Sequence, residues 1–524
     1  MVDTEIAKGE PAAPVNALRE VGSFSNLNSR SALGLVLLGC MSVGIQHRCC
    51  AQTSRGTKVA ASDKTALLLL RDAESLPPEF AADIALQVVE NSASLTVPQE
   101  ISALKNAFDE AAQSQDDVGR RPWGNSVEET SEGLHAIALS LGRLDRISQQ
   151  SRAVQDIAGI DPKLARVKLG TIALPGFEPP PCYATWLYFP DAYYEAAARV
   201  MTAGFSSEEI SSGQRREFLR SVVSRVVSHS QLPPVTRLIT ASDLSSTELA
   251  GVISSYIYVL DSLRGDAHSF YATATRHSVD EFDALVARLG KKGIAALPLI
   301  ASFRRYLAAN FKTTPCTPFK SPDSGKLPPA VQEFNDKFST RLKAAGSTAI
   351  ADDEIKNEAK DTSPIESDPP RWNSKESADL LLALQKLPDM ARETPSIEAK
   401  YQEYLLRLNG WSNQSEPETE FFHQKSMLYS GVLERLGPSA LRTSVLMDFV
   451  KFLEQNSYQQ VSKVDWFIYS RRLFDVSTQP AERADVINAL ISSGDPVLNL
   501  YGRLESWKSK HAASQVSSSA NTVH

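Results

Sequence analysis

Apolar residues return every three to four positions from about Lys64 to Lys510, a spacing that predicts a long succession of amphipathic helices. After Ser245-Ser246-Thr247-Glu248, residues Leu249, Val252, Ile253, Tyr256, Ile257 and Leu260 share one helical face. The Ser and Glu of that opening form a capping box, in which each side chain satisfies a backbone N–H that the first helical turn leaves open. Ser206 to Glu209 repeats the pattern ahead of Phe218, Leu219, Val222, Val223, Val226 and Val227. Ser278 to Glu281 does so ahead of Phe282, Leu285, Val286 and Leu289, with Gly290 expected as the left-handed stop. Gly437-Pro438 is expected to separate two long helices.

Strand signals are few. The best pairing runs from Val167–Leu174 to Ala184–Phe189 across four intervening prolines, and reads either as one short β-hairpin or as an irregular excursion between helices. From 344 to 373 the sequence is acidic and rich in Pro and Ser, with no apolar period, and reads as an exposed linker. It divides an N-terminal helical region at 62–343 from a C-terminal one at 374–510. The tail at 511–524 has too few apolar residues to pack and is expected to be disordered.

Pro78-Glu79-Phe80-Ala81-Ala82-Asp83-Ile84 and Pro480-Ala481-Glu482-Arg483-Ala484-Asp485-Val486 share Pro, Ala-Asp and a branched residue at the same offsets. Both read as helix starts, of the kind that stacked helical hairpins repeat. The fold class is therefore all-α: an irregular α-solenoid or multi-helical array, with an unrelated pair of bundles as the alternative.

Composition adds limits. A chain of 524 residues can hold a large core, and a mean hydropathy of -0.22 excludes a multi-span membrane protein. The net charge of -7, without any lysine- or arginine-rich run, argues against nucleic acid, whose phosphates need a concentrated basic face. Ser31–Ile45 is an uncharged apolar run after Arg30, and the small-residue exit Cys49-Cys50-Ala51 fits a signal in residues 1–51 that is cleaved between Ala51 and Gln52. Its length, about 15 residues, falls short of a spanning helix. Leu37-Leu38-Gly39-Cys40 resembles a lipobox, so a lipoprotein anchored at Cys40 is the alternative to a secreted or periplasmic chain. A buried helix of a cytosolic protein is the third reading.

Loss of that segment would leave Cys182 and Cys316, both in proline-rich sequence, as a possible disulfide. Closing so long a loop would contribute about 4–5 kcal/mol by chain entropy.

Candidate chemistry is sparse. Glu132/His135 and Glu420/His423 have the E-x-x-H spacing of di-iron bundles. Asp266, His268, His277, Asp280, Glu281 and Asp283 are a denser set of potential ligands, although acidic residues at a helix start have a simpler role. Ser102 and Lys105 match S-x-x-K without its companion motifs, and no nucleophile elbow or phosphate loop occurs. Neither a metal nor a cofactor is expected. Tyr183, Trp186, Tyr188, Phe189, Tyr193 and Tyr194 are the best recognition candidates, with core packing as the competing role. The resulting expectation is a non-enzymatic exported protein acting in protein interaction or envelope structure. Its partner would be another protein, and membrane contact would come only through the N-terminal segment or a lipid. An exported hydrolase or metal-dependent enzyme with a dispersed site is the alternative.

Overall fold

Residues 64–92, 94–114, 119–122, 144–174, 184–187, 190–264, 270, 278–313, 327–355, 374–387, 395–413, 416–461 and 463–520 are described by the structure, a computed structural model. The segment Ser31–Ile45, Cys40, Ala51, Gln52, Cys182, Cys316, Tyr183, Tyr188, Phe189, Glu132, His135, Asp266, His268 and His277 lie outside the described residues.

The chain is built from helices. In order they are α1 (Lys64–Ala73), α2 (Pro78–Asn91), α3 (Val97–Gln113), α4 (Arg146–Ala158), α5 (Pro162–Thr171), α6 (Pro190–Ala203) and α7 (Ser207–Ser211). Then come α8 (Gln214–Ser224), α9 (Leu232–Ala241), α10 (Ser246–Ser262), α11 (Ser278–Lys291), α12 (Leu297–Thr313), α13 (Pro329–Ala344) and α14 (Asp352–Ile355). The last are α15 (Lys375–Lys386), α16 (Pro395–Gly410), α17 (Glu418–Arg435), α18 (Ala440–Gln455), α19 (Lys463–Val476), α20 (Pro480–Ser492) and α21 (Pro496–Ala520). One antiparallel ladder pairs β1 (Gly119–Pro122) with β2 (Ala184–Leu187), Gly119 opposite Leu187.

Local chemistry fixes most helix starts. Ser206 and Ser245 form the expected capping boxes with Glu209 and Glu248. Pro78 and Pro480 both occupy the first helical position, where a missing N–H costs nothing. Ser439, directly after Gly437-Pro438, caps α18 by accepting from the Arg442 N–H.

Four expectations are corrected. Val167–Leu174 is not a strand: Asp161 accepts from the Leu164 N–H, Pro162 opens α5, and Ala165, Leu169 and Ile172 are buried at helical spacing. The strand at Ala184–Leu187 pairs with Gly119–Pro122 instead. The left-handed stop after α11 is Gly293 (φ 69°), not Gly290; there Ile294 N–H closes back on the Leu289 carbonyl at 2.9 Å, a Schellman-type end. The supposed linker is docked as far as residue 355, because Ile350 and Ile355 are buried and Asn335 exchanges two 2.9 Å hydrogen bonds with Ile350. Finally, α21 continues through Ala520, so the tail from 511 is helical there. Extending an anchored helix through Ala and Ser needs no new nucleus.

The helices stack in two rows. In the first, α2, α4, α6, α9, α11 and α13 pack each against the next; beside them α8, α10, α12 and α14 do the same. The C-terminal helices repeat the scheme, with α15, α17 and α19 in one row and α16, α18 and α20 in the other. Both sets belong to one compact unit spanning Ser62–His524, joined where α21 packs on α1 and α2. The order in the stack thus differs from the order in the chain: α15–α21 come first and α1–α14 follow.

The join is apolar with a buried ionic clasp. The Phe80 ring meets Tyr458, Trp466, Phe467 and Tyr501, with centroids 5.2–6.4 Å away. One turn on, the fully buried Asp83 accepts from Arg152 at 3.0 Å and from the Tyr501 hydroxyl at 2.8 Å. Around it lie Arg503–Asp72 at 2.8 Å and Lys463–Glu79 at 2.9 Å. Burial pushes the Asp83 carboxyl up, but the Arg152 and Arg471 charges and the Tyr501 hydroxyl outweigh it and hold the group below the usual carboxylate range.

Candidate functional site: an arginine-lined cavity

A cavity of about 260 Å³ opens between α5, α6 and α8, lined by Arg166, Leu169, Gly170, Tyr193, Phe218, Ser221, Val222 and Arg225. Its walls follow from helical spacing. Leu169 and Val222 belong to the buried faces of α5 and α8, Tyr193 to that of α6, and Arg225 stands at the C-cap of α8. The short α7 carries Glu209, which serves twice: one carboxylate oxygen accepts from the Ser206 N–H at 2.8 Å, the other from Arg166 at 2.7 Å. The Arg166 hydrogen bond, with the capping bond behind it, holds the Glu209 carboxyl below its ordinary value.

The two arginines are held differently. Arg166 lies over the Phe205 ring at 4.7 Å and spends one terminal nitrogen on Glu209, while its other, Nη1, is buried without a hydrogen-bond partner. Arg225 donates to the Tyr193 hydroxyl at 3.0 Å and to the Ile172 carbonyl, with its guanidinium 5.5 Å from the Tyr193 ring. Both of those acceptors are neutral, so among the described residues no carboxylate stands against the charge of Arg225. Burial pushes the Tyr193 phenol up despite this neighbour, which keeps the hydroxyl protonated.

A second, more open groove of about 500 Å³ crosses the ends of three layers, with Val97, Ile101, Ile160, Phe205 and Lys163 among its walls. Phe205 borders this groove and carries Arg166 on its face, so the two depressions are neighbours.

The sequence candidates are scattered by comparison. Tyr193 and Tyr194 are buried and meet edge to face at 5.2 Å, so Tyr193 is a cavity wall and not an exposed recognition aromatic. Trp186 stands on β2 opposite Arg120. His423 hydrogen-bonds the Tyr469 hydroxyl at 3.0 Å, and Glu420 accepts from Gln424 at 3.3 Å. Asp280 pairs with Lys337 and Glu281 with Arg237, and Asp283 is half-buried on the same helix. Among the described residues, no group of three His, Cys, Asp or Glu side chains could hold a metal ion. Ser102 and Lys105 are exposed on α3.

Sequence reasoning passes over Arg166 and Arg225. Their only trace is that Arg225 falls between Val222 and Val226, near the apolar face of α8.

Lys425 is a separate case. It is 5% exposed and donates to the Trp411 carbonyl at 2.6 Å, with Phe421 and Phe452 rings 5.5 and 5.3 Å from its ammonium. Burial pushes it down to about 8, offset only in part by Glu376. Its bonds to carbonyls at the end of α16 give it a capping role there.

No known protein family matches the chain, and no curated protein or solved structure is similar to it. Among the described residues, no helix is long and apolar enough to cross a membrane.

Proposed function

We propose that this protein is a non-enzymatic interaction protein, a stacked helical array that presents its surface to a protein partner. The observation that carries this reading is the pair of helical rows, since stacked helix pairs bury one face against their neighbours and leave a long outer surface for binding. The groove across the ends of α3, α4 and α6 is a fitting place for contact: Val97 there is 48% exposed, on a wall it shares with Ile101 and Ile160.

Site-specific photocrosslinking in the native producer tests this. Probes at Val97, Tyr258 and Leu406 sample three separate exposed positions, and one partner protein captured from a subset of them supports the reading. Absence of any captured protein, together with a large thermal shift on adding a metal ion or a small substrate, overturns it in favour of the enzyme.

The same reading places the chain outside the cytoplasm, secreted or periplasmic, or anchored by lipid on Cys40. Intact mass from fractionated cells decides: a chain starting at Gln52 supports export, and a mass two hydrogens lower before reduction supports a Cys182–Cys316 bond. A full-length reduced chain in the cytosol overturns both.

A further inference from the structure

We infer that the cavity between α5, α6 and α8 is a binding site for a small organic anion, one with a carboxylate or phosphate head and a compact apolar body. Two observations converge. Among the described residues Arg225 meets neutral acceptors, the Tyr193 hydroxyl and the Ile172 carbonyl, and so brings a positive charge to the cavity with no carboxylate there to balance it. Arg166, on the facing helix, adds a second guanidinium to the same walls, held in place there by Glu209 at 2.7 Å. Both arginines thus line one half-open cavity, and a planar fork of donors matches a carboxylate or phosphate group.

The remaining walls set the body of the ligand. Leu169, Phe218 and Val222 are apolar, and at about 260 Å³ the space exceeds what an inorganic ion fills while falling short of a drug-sized pocket. A head group between the arginines with a ring or branched chain against Phe218 uses both kinds of wall. Ser221 is exposed at the rim and marks the side from which the ligand enters.

Binding to the full chain is measured by calorimetry with benzoate, phenyl phosphate and inorganic phosphate as probes. Benzoate or phenyl phosphate is expected to bind the wild type, and inorganic phosphate more weakly than phenyl phosphate. Ser221→Asp puts a carboxylate at the rim without touching the core and is expected to weaken binding about ten- to hundredfold, the worth of a charge-assisted contact. Ser221→Asn is expected to bind like the wild type. Arg225→Gln is expected to lose binding as well, but it also loses a bond to the end of α5, so the rim variants carry the test. No binding of either organic probe, or equal binding by wild type and Ser221→Asp, overturns the inference. Equal affinity for inorganic and phenyl phosphate overturns the apolar body.

Discussion

Tyr501, in the last helix, donates its hydroxyl to Asp83, in the second, at 2.8 Å, and both side chains are buried. This contact closes the join between the C-terminal and N-terminal parts of the stack. Burial and the Asp83 charge push the Tyr501 phenol well up, so it remains the donor throughout the neutral range. Tyr501→Phe leaves one lone pair of a buried carboxylate unmet and is expected to cost about 1–3 kcal/mol in chemical denaturation. Asp83→Ala removes the acceptor of the Tyr501 hydroxyl and one of the two carboxylates on Arg152, which keeps Glu90 at 2.9 Å, and should cost more than Tyr501→Phe.

Acid should act through the same residue. The folded Asp83 carboxyl titrates below its ordinary value of 3.8, so the stability it adds is complete above that value and is lost as pH falls through the lower folded one. Denaturation midpoints measured from pH 5 downward should therefore fall more steeply for the wild type than for Asp83→Asn. Parallel curves would show that other carboxylates govern acid unfolding.

Lys425 predicts a slope of the same sign at high pH. Its folded value of about 8 lies below the ordinary 10.5, so between these the unfolded chain binds the extra proton and stability rises with pH. Relative to Lys425→Met, the wild type should gain about 3 kcal/mol across that interval. The comparison cancels nearby Tyr404 and Tyr429, whose phenols burial pushes up and whose effect on stability has the reverse sign. A constant difference between the two proteins would mean the lysine is hydrated.

Gly502 is a test of packing between the last two helices. A Cβ there would stand 2.8 Å from the Ile491 nitrogen and 2.9 Å from the Leu490 Cβ. Gly502→Ala should cost about 1–3 kcal/mol, in spite of the better helix propensity of alanine. A neutral or stabilising result would show that α20 and α21 can move apart freely.

The parts of this fold legible in the sequence are those decided within one turn. Ser245 and Glu248 cap each other across three residues, and Pro78 and Pro480 mark helix starts by their own covalent geometry. The echo between those two starts, however, conceals different surroundings: Asp83 is fully buried and Asp485 exposed. Residues 167–174 mislead because a short run of alternating apolar and polar residues fits both periods, and the deciding cap, Asp161, lies upstream. The meeting of Phe80 with Trp466 and Tyr501, like that of Arg166 and Arg225 around one cavity, depends on which helices stack. No local pattern encodes that.

The stacking order has a consequence for synthesis. A ribosome releases α2 long before α21, so the Phe80 ring and the Asp83 carboxylate emerge without the aromatic and phenolic partners that later cover them. Until the final helix leaves the exit tunnel, the nascent chain displays an apolar face beside an ionised carboxylate. That leaves part of α2 open to a chaperone until synthesis ends.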